Sequence, residues 1–304
     1  MRSAARYLFG LVLLIIGLTG YGYADSSGTV QNCAISTHEV VLEGGVLYYN
    51  RAGQGPPVVL LHGLFAQKEQ WSAMLCLLSA AGYTAIAPDL PGFGKSTDFP
   101  LADYRLEQQA ERLRQWLDVL GIQSIELAGS SMGGTIAALY VQRYPQSVRT
   151  LAFIGSPLGV TDWSPAVKAA IYQGINPFIP VNVAELDLEM RLLFVNPPVI
   201  PDTVKDALIK DYVERNRHYQ QVWNIVNLYD NALDRRQRIR VPALILWGEN
   251  DQIFSVDGAE QLRARIPRSQ LVRWPNTGHL PLLENAVETS ALYVRFLKTG
   301  YSGR

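Results

Sequence analysis

Apolar and polar residues alternate along this chain in two distinct rhythms. Short apolar runs, of the length of a buried strand, are separated by stretches in which apolar residues recur with the period of a helix. The predicted strands are Glu39 to Leu42, Val46 to Tyr49, Val58 to Leu61, Thr84 to Ala87, Ile125 to Ala128, Leu151 to Ile154, Ala243 to Leu246 and Gln270 to Arg273. The predicted helices are Gln70 to Ala81, Arg105 to Leu120, Gly133 to Tyr144, Val204 to Asn216 and Glu284 to Leu297. This alternation predicts an α/β fold with a mostly parallel sheet and helices on both faces, opened by a hairpin at Gly44-Gly45.

Two segments depart from this rhythm. Pro157 to Arg238 carries several prolines and helical pieces but few strand-like runs, which predicts a helical cap inserted between two strands. At the start, Arg2 and Arg6 precede the uncharged run Leu8 to Leu18, a pattern typical of an export signal or an N-terminal membrane anchor. The predicted units are 1–24 as signal peptide or anchor, 25–37 as connector, 38–156 as the first part of the core, 157–238 as the cap and 239–304 as the second part of the core.

The positive charges of Arg2 and Arg6 favour the cytoplasmic side of a membrane. We therefore expect the remainder of the chain to be exported. It would lie on the periplasmic side of the inner membrane if the segment is retained, or be periplasmic or secreted if it is cleaved. Membrane contact is expected through this N-terminal segment.

Composition and charge narrow the class of protein. The 304 residues are 48% hydrophobic and 18% charged, which is enough apolar material for one large core. Lys+Arg and Asp+Glu both number 27, so nothing in the charge balance indicates a nucleic-acid partner. The two cysteines, Cys33 and Cys76, could form one disulfide in an oxidising compartment. Because Cys76 lies in the apolar helical stretch Met74 to Leu78, we favour a buried free thiol.

A short motif places a candidate nucleophile between a strand and a helix. Gly129-Ser130-Ser131-Met132-Gly133 matches G-x-S-x-G and follows the predicted strand Ile125 to Ala128. Glycines on both sides let the strand and the helix approach each other around a serine in a strained turn. The motif therefore predicts that Ser131 is a catalytic nucleophile.

A serine hydroxyl needs a base, and the sequence offers four histidines. They are His38, His62, His218 and His279. His38 falls in the first strand, His218 falls in the cap, and His62 directly adjoins a strand, where a buried and hydrogen-bonded histidine is the usual finding. His279 lies in a loop between the last strand and the last helix, at the sheet edge that also bears Ser131. We assign His279 as general base and then general acid.

The third member of the set should orient His279 and stabilise its imidazolium form. Asp251 follows the strand Ala243 to Leu246 and gives the chain order Ser, Asp, His. Glu249 and Asp257 are the competing acids.

Two backbone amides are predicted to complete the site. His62-Gly63-Leu64 follows the strand Val58 to Leu61, so the N–H groups of Leu64 and Met132 form the expected oxyanion hole. The glycine-rich run from Asp89 to Ser96 lacks the spacing of a phosphate-binding loop and predicts a tight surface turn. The histidines are dispersed, so no metal site and no cofactor are expected.

Together these segments resemble the α/β-hydrolase superfamily over residues 38 to 298. The segments that carry the resemblance are Leu61 to Leu64, Asp89 to Gly94, Gly129 to Gly133, Trp247 to Asp251 and Gly278-His279. A narrower likeness is to membrane-anchored bacterial lipases and to mammalian membrane-bound monoacylglycerol lipases. It is carried by Leu61 to Trp71, Ser131 to Gly134, the cap stretch Leu193 to Val195 with Pro197-Pro198, and Trp247 to Gln252. The resemblance implies the α/β-hydrolase fold with a helical cap and a single hydrophobic N-terminal segment, and it favours retention of that segment as an anchor over its cleavage.

The expected activity is that of a lipase or esterase, which hydrolyses a carboxylic ester of a small-molecule or lipid substrate, such as a monoacylglycerol or a phospholipid acyl ester, through an acyl-enzyme at Ser131. Six apolar cap residues offer surface for an acyl chain, although packing the cap on the core is the more usual role for any one of them. They are Trp163, Phe178, Leu192, Leu193, Phe194 and Trp223. The alternatives are another serine chemistry on the same fold, namely carbon–carbon bond hydrolysis or aminopeptidase activity, or a non-catalytic ligand-binding relative of these hydrolases.

Overall fold

A computed structural model describes residues 33–228, 233 and 239–300 of the chain. Its strands are β1 (Ser36–Leu42), β2 (Gly45–Ala52), β3 (Pro57–Leu61), β4 (Thr84–Pro88), β5 (Ile125–Gly129), β6 (Val148–Ile154), β7 (Ala243–Gly248) and β8 (Ser269–Trp274). Its α-helices are α1 (Ser72–Ala80), α2 (Leu106–Val119), α3 (Met132–Arg143), α4 (Pro165–Tyr172), α5 (Val183–Leu193), α6 (Asp202–Glu214), α7 (Asn216–Asn227), α8 (Asp257–Arg265), α9 (Pro281–Glu284) and α10 (Ala286–Thr299). Short 3₁₀ helices cover Lys68–Trp71, Leu101–Tyr104 and Pro145–Ser147.

The strands form one eight-stranded sheet in the order β1-β2-β4-β3-β5-β6-β7-β8. β1 and β2 make the antiparallel hairpin expected at Gly44-Gly45, and β2 also pairs antiparallel with β4. From β4 to β8 all pairings are parallel. The predicted mostly parallel sheet is confirmed. Parallel neighbours bring the carboxyl ends of β3, β5, β6, β7 and β8 to one edge.

Both faces of the sheet are covered, which explains why its strands are apolar throughout. Successive residues of β3 point to opposite sides: Val59 and Leu61 join one buried cluster, whereas Val58 and Leu60 join the other. Helices α2 and α3 pack against each other on the first side, and α1 and α10 pack together on the second. Full burial on both faces removes the polar alternation of a half-exposed strand.

Four helices, α4 to α7, lie between β6 and β7, in the stretch where the sequence predicts a helical cap. We call them the cap helices. Asn182 begins α5 by accepting the backbone N–H of Glu185 on its side chain, and Ser164 does the same for Val167 at the start of α4. An aromatic cluster joins the cap to the core: Trp163 stacks on Phe254 and on Trp223 of α7, and Phe178 also stacks on Trp223.

The prediction of a buried free thiol is wrong. Cys33 and Cys76 form a disulfide, with their Cα atoms 5.3 Å apart. Cys76 does lie on helix α1, but it is only partly buried there. Ile35, two residues after Cys33, packs against the same cluster of core residues as α1, which places the chain before β1 on this helix.

The sequence predicts a tight surface turn after β4. The turn is present, but most of it is buried. Asp89 is completely buried, and its carboxylate accepts the backbone N–H groups of Lys68 and Lys95 and the Nζ of Lys68 at 2.9 Å. The turn is covered from above, because the ring of His218 on α7 contacts the backbone oxygen of Gly92 at 2.8 Å. Pairing with an ammonium and with backbone donors allows this carboxylate to be buried.

The predicted signal peptide or anchor, 1–24, lies outside the described residues. Of the predicted connector, 25–37, only the last residues are described. Within the described ranges, no helix is both long and apolar enough to cross a membrane.

Candidate active site

Ser131 occupies a strained turn between β5 and α3. Its backbone has φ +50° and ψ −120°, outside the regions that a residue with a side chain ordinarily adopts. The flanking glycines are required by contact: a Cβ on Gly129 would lie 2.2 Å from the oxygen of Gly133. A Cβ on Gly133 would lie 2.2 Å from the oxygen of Leu61 at the end of β3. The turn therefore holds the Ser131 side chain at the carboxyl edge of the sheet.

His279 and Asp251 meet at the same edge. His279 Nδ1 lies 3.0 Å from Asp251 Oδ2, and both side chains are buried. Asp251 Oδ1 accepts the backbone N–H groups of Ile253 at 2.8 Å and Phe254 at 3.1 Å. Because Nδ1 faces a carboxylate, the proton of the neutral ring sits on Nδ1 and leaves Nε2 with a free lone pair.

A second serine joins this pair. Ser156 follows β6, is fully buried, and donates its hydroxyl to Asp251 Oδ2 at 2.5 Å. The same hydroxyl oxygen lies 2.9 Å from His279 Nδ1. Asp251 Oδ2 is therefore held by two side chains, and the imidazole ring has two polar neighbours on its Nδ1 side.

Backbone contacts fix the acid loop against the histidine loop. A Cβ on Gly248, the last residue of β7, would lie 2.1 Å from the oxygen of Gly278, so only glycine allows this approach. The backbone N–H of Asn250 donates to the oxygen of Thr277 at 3.0 Å. These contacts set the distance between Asp251 and His279 by main-chain packing rather than by the side chains alone.

The predicted oxyanion donors, Leu64 and Met132, lie on the two segments that Gly133 brings together. Met132 is the first residue of α3, where a helix N–H has no partner within the helix and the helix dipole favours negative charge. Leu64 lies in the turn after β3, and the neighbouring N–H of Gly63 donates to Gln70 Oε1 at 3.0 Å. The Gln70 side chain thus supports the turn that carries Leu64.

One cavity of about 860 Å³, counting its open mouth, contains Ser131, Met132, Leu64 and His279 in its lining. Most of its remaining lining is apolar and comes from the cap helices and the loops beside them. Of the six apolar cap residues predicted to offer acyl-chain surface, the cavity includes Trp163, Phe178, Leu193 and Phe194. Leu192 and Trp223 pack in the core instead.

The other histidines and acids lie elsewhere. His62 is buried, with Nδ1 2.8 Å from the oxygen of Gly63, and its Nε2 accepts the N–H of Leu90 at 3.0 Å. Burial lowers the pKa of His62 to about 4, so it is a neutral structural residue. His38 is exposed on β1, and His218 contacts the turn after β4. Glu249 is exposed, and Asp257 contacts the hydroxyl of Ser255.

Sequence reasoning missed Ser156, Gln70 and two glutamates. Ser156 could have been found, because it follows a parallel strand at the same edge as Ser131. Glu284 accepts the N–H of Gly278 at 2.7 Å and that of Val195 at 2.9 Å, and burial raises its pKa. Glu189 lines the cavity from α5, and no local pattern distinguishes it from an exposed helix residue.

Comparisons with known proteins agree with this architecture. The family model described as alpha/beta hydrolase fold matches residues 56–286. Lipase 1 of Psychrobacter immobilis is 29% identical over 249 residues, covering 80% of this chain and 77% of the lipase. Monoacylglycerol lipase ABHD6 of Mus musculus is 29% identical over 269 residues, covering 82% of this chain and 78% of the relative.

A solved structure extends the similarity over nearly the whole chain. The crystal structure of a membrane phospholipase A superposes with a TM-score of 0.83 at 29% identity, covering 98% of this chain and 94% of the other. The resemblance and the fold inferred from the sequence are confirmed. This chain belongs to the alpha/beta hydrolase fold family.

Proposed function

We propose that the protein is a serine carboxylic-ester hydrolase that acts on lipid esters. The observation that carries this proposal is the shared cavity: the strained Ser131 and the Asp251-bound His279 line one apolar chamber. A serine–histidine–acid set beside backbone donors is the arrangement that acyl transfer requires.

In the proposed mechanism, His279 Nε2 takes the proton of Ser131 as its oxygen attacks the ester carbonyl. Asp251 keeps the ring in the tautomer with hydrogen on Nδ1 and stabilises the imidazolium that forms. The N–H groups of Leu64 and Met132 stabilise the oxyanion. His279 then protonates the leaving alcohol, and water, deprotonated by the same ring, hydrolyses the acyl-enzyme.

The lining of the cavity supports a lipid-derived acyl group over a polar one. Cap residues such as Trp163, Phe178, Leu193 and Phe194 supply apolar surface within the same chamber as Ser131. Burying a hydrocarbon chain there contributes about 0.8 kcal/mol per methylene group. The similar proteins named as lipases support the same substrate class.

Replacement of Ser131 by Ala tests the proposal. We expect kcat on a p-nitrophenyl ester to fall at least ~10⁴-fold and fluorophosphonate labelling of the folded protein to disappear, by analogy with other serine hydrolase triads. Monoacylglycerol and aminoacyl arylamide serve as parallel substrates. Amide turnover without ester turnover would support the aminopeptidase alternative. A folded wild-type protein that neither labels nor turns over any substrate would support a binding protein.

We also propose that the N-terminal segment keeps the enzyme at a membrane on the exported side. Arg2 and Arg6 followed by Leu8 to Leu18 support this placement, as does the similarity to a membrane phospholipase A. The Cys33–Cys76 disulfide fits an oxidising compartment. Membrane fractionation and N-terminal sequencing test it: a mature protein that starts near Asp25 and is freely released would reject retention.

A further inference from the structure

One carboxyl group stands apart in the apolar cavity. Glu189 lies on α5, lines the same chamber as Ser131 and His279, and is 3% exposed. It is the only acidic residue of the cavity lining among the residues described. The other polar side chains of the cavity lining have assigned roles: Ser131 and His279 belong to the proposed catalytic set, and Gln70 supports the turn of Leu64.

Glu189 interrupts an apolar face. Leu186, Met190 and Leu193 lie three residues before, one after and four after it on α5, and all three line the cavity with it. Leu208 of α6 also lines this cavity. A leucine or methionine at position 189 would complete this face, so the helix itself gains nothing from a carboxyl group there.

One oxygen of the Glu189 carboxyl, Oε2, is buried and lacks a hydrogen-bond partner in the described part of the chain. The hydroxyl groups of Tyr212 and Tyr219 lie within electrostatic range of Glu189, and that of Tyr219 donates to Asp211 instead. An unsatisfied buried polar group is costly, which calls for a partner that the fold itself does not supply.

Burial also sets the protonation state of the Glu189 carboxyl. Desolvation raises the pKa of Glu189 to about 8, so the carboxyl is neutral at ordinary pH. A neutral carboxylic acid donates one hydrogen bond through its O–H and accepts another at its carbonyl oxygen. A hydroxyl group offers the complementary acceptor and donor. A quaternary ammonium group, by contrast, would need the ionised form.

We propose that Glu189 binds a hydroxyl group of the ester substrate within the catalytic cavity. The inference rests on the proposed ester hydrolase function and names its substrate class: esters that carry a free hydroxyl, either on the alcohol, as in a monoacylglycerol, or on the acyl chain. An ester without such a hydroxyl leaves the carboxyl unsatisfied and binds less well.

Two matched substrate pairs separate the two sources of the hydroxyl. The first pair is a monoacylglycerol and the methyl ester of the same acid. The second is a series of hydroxyacyl p-nitrophenyl esters and the unsubstituted ester of the same chain length. We expect the wild type to favour the hydroxylated member of one pair by about 10- to 100-fold in kcat/KM, the range of a buried hydrogen bond that is made or lost.

Variants at position 189 test whether this preference depends on the carboxyl. Glu189→Leu is expected to reduce the ratio to about one. Glu189→Gln, which both donates and accepts, is expected to keep most of the preference. Glu189→Met replaces the leucine variant if that one does not fold. Glu214→Leu, the same change at an exposed carboxyl of α6, is the matched control and should leave the ratio unchanged.

Binding of non-hydrolysable ethers reads the same contact without turnover. In a Ser131→Ala background, an alkylglycerol ether should bind about 10- to 100-fold more tightly than the alkyl methyl ether, and Glu189→Leu should remove the difference. A hydroxyalkyl ether provides the acyl-side counterpart. Glu189-dependent ether binding without any ester hydrolysis would reject the proposed function and support this inference.

Three results would overturn the inference. Ester hydrolysis with ratios that Glu189→Leu leaves unchanged in both pairs would do so. So would equal loss of preference in Glu189→Gln and Glu189→Leu, because the charge rather than the hydrogen bond would then matter. Ethers that bind without regard to their hydroxyl groups would do so independently of catalysis.

Discussion

Ser156 offers a sharp test of how the proposed catalytic set is held together. Asp251 accepts hydrogen bonds at Oδ1 from two backbone N–H groups and at Oδ2 from Ser156 and His279. Ser156→Ala removes one of the two side-chain bonds at Oδ2, the oxygen that contacts the imidazole. The Asp251 carboxylate then stays buried with one bond fewer, and His279 loses its second polar neighbour on the Nδ1 side.

The size of the effect follows from the charge on the acceptor. A hydrogen bond to a charged group contributes about 1.5–3 kcal/mol. If the whole contribution acts on the imidazolium-forming transition state, kcat falls about 10- to 150-fold, since about 1.4 kcal/mol corresponds to a tenfold change. Ser156 is not part of the cavity lining, so KM should stay the same. The expected loss is much smaller than that of Ser131→Ala.

Steady-state hydrolysis of a p-nitrophenyl ester measures kcat and KM separately. Ser130→Ala is the matched control, because Ser130 is equally buried beside the nucleophile but its hydroxyl has no hydrogen-bond partner among the described residues. We expect Ser130→Ala to stay within about twofold of the wild type, since no bond is lost. Equal kcat values for the two variants, or a Ser156→Ala effect confined to KM, would refute the positioning role of Ser156.

Two stability predictions concern groups away from the cavity. Cys33→Ser opens a disulfide with a sequence separation of 43 residues and should lower the free energy of unfolding by about 2–4 kcal/mol in urea titrations. Unchanged midpoints with and without reductant would argue against the disulfide. His62 has its pKa lowered from 6.5 to about 4, so its contribution is present above pH 6.5 and is lost as the pH falls toward 4. The stability difference between wild type and His62→Gln should therefore shrink by about 3 kcal/mol from pH 7 to pH 4, and a constant difference would contradict this.

Periodicity predicts the elements of this fold well where burial alone defines them, and less well where polar contacts do. The expected strand Leu151 to Ile154 in fact begins at Val148. The added residues at the start of the strand include Arg149 and Thr150, whose side chains both bind Glu126 on β5. Paired polar residues therefore extend an apolar strand.

The last predicted helix shows the same limit. It was expected to begin at Glu284, but α10 begins at Ala286, because Asn285, with φ −137° and ψ 54°, separates it from the short helix α9 that ends at Glu284. Glu284, directly before this break, uses its carboxylate to bind the N–H groups of Gly278 and Val195. Neither partner is near Glu284 on a helical pattern, so the interruption depends on tertiary contacts that a sequence window does not contain.

The residues of the candidate site likewise fall into those that the sequence identifies and those that only the tertiary contacts identify. Ser131, Asp251 and His279 follow from motif, chain order and the rule that parallel strands end at one edge. Ser156 obeys that edge rule too, but a lone serine carries no motif. Glutamate is common on the exposed faces of helices, so the sequence does not single out Glu189. Only the packing of α5 shows that this residue lines the cavity.

Helix α5 connects the proposed hydroxyl-binding group to the proposed catalytic base. It presents Glu189 to the cavity, and its last residue, Leu193, accepts the backbone N–H of His279 at 3.0 Å. Two residues later, the Val195 N–H binds the same Glu284 carboxylate that holds the N–H of Gly278. Breaking these bonds together would cost several times the ~1 kcal/mol of one hydrogen bond, so they hold the end of α5 against the histidine loop. The same helix therefore carries the cavity carboxyl of Glu189 and helps to fix the backbone position of His279.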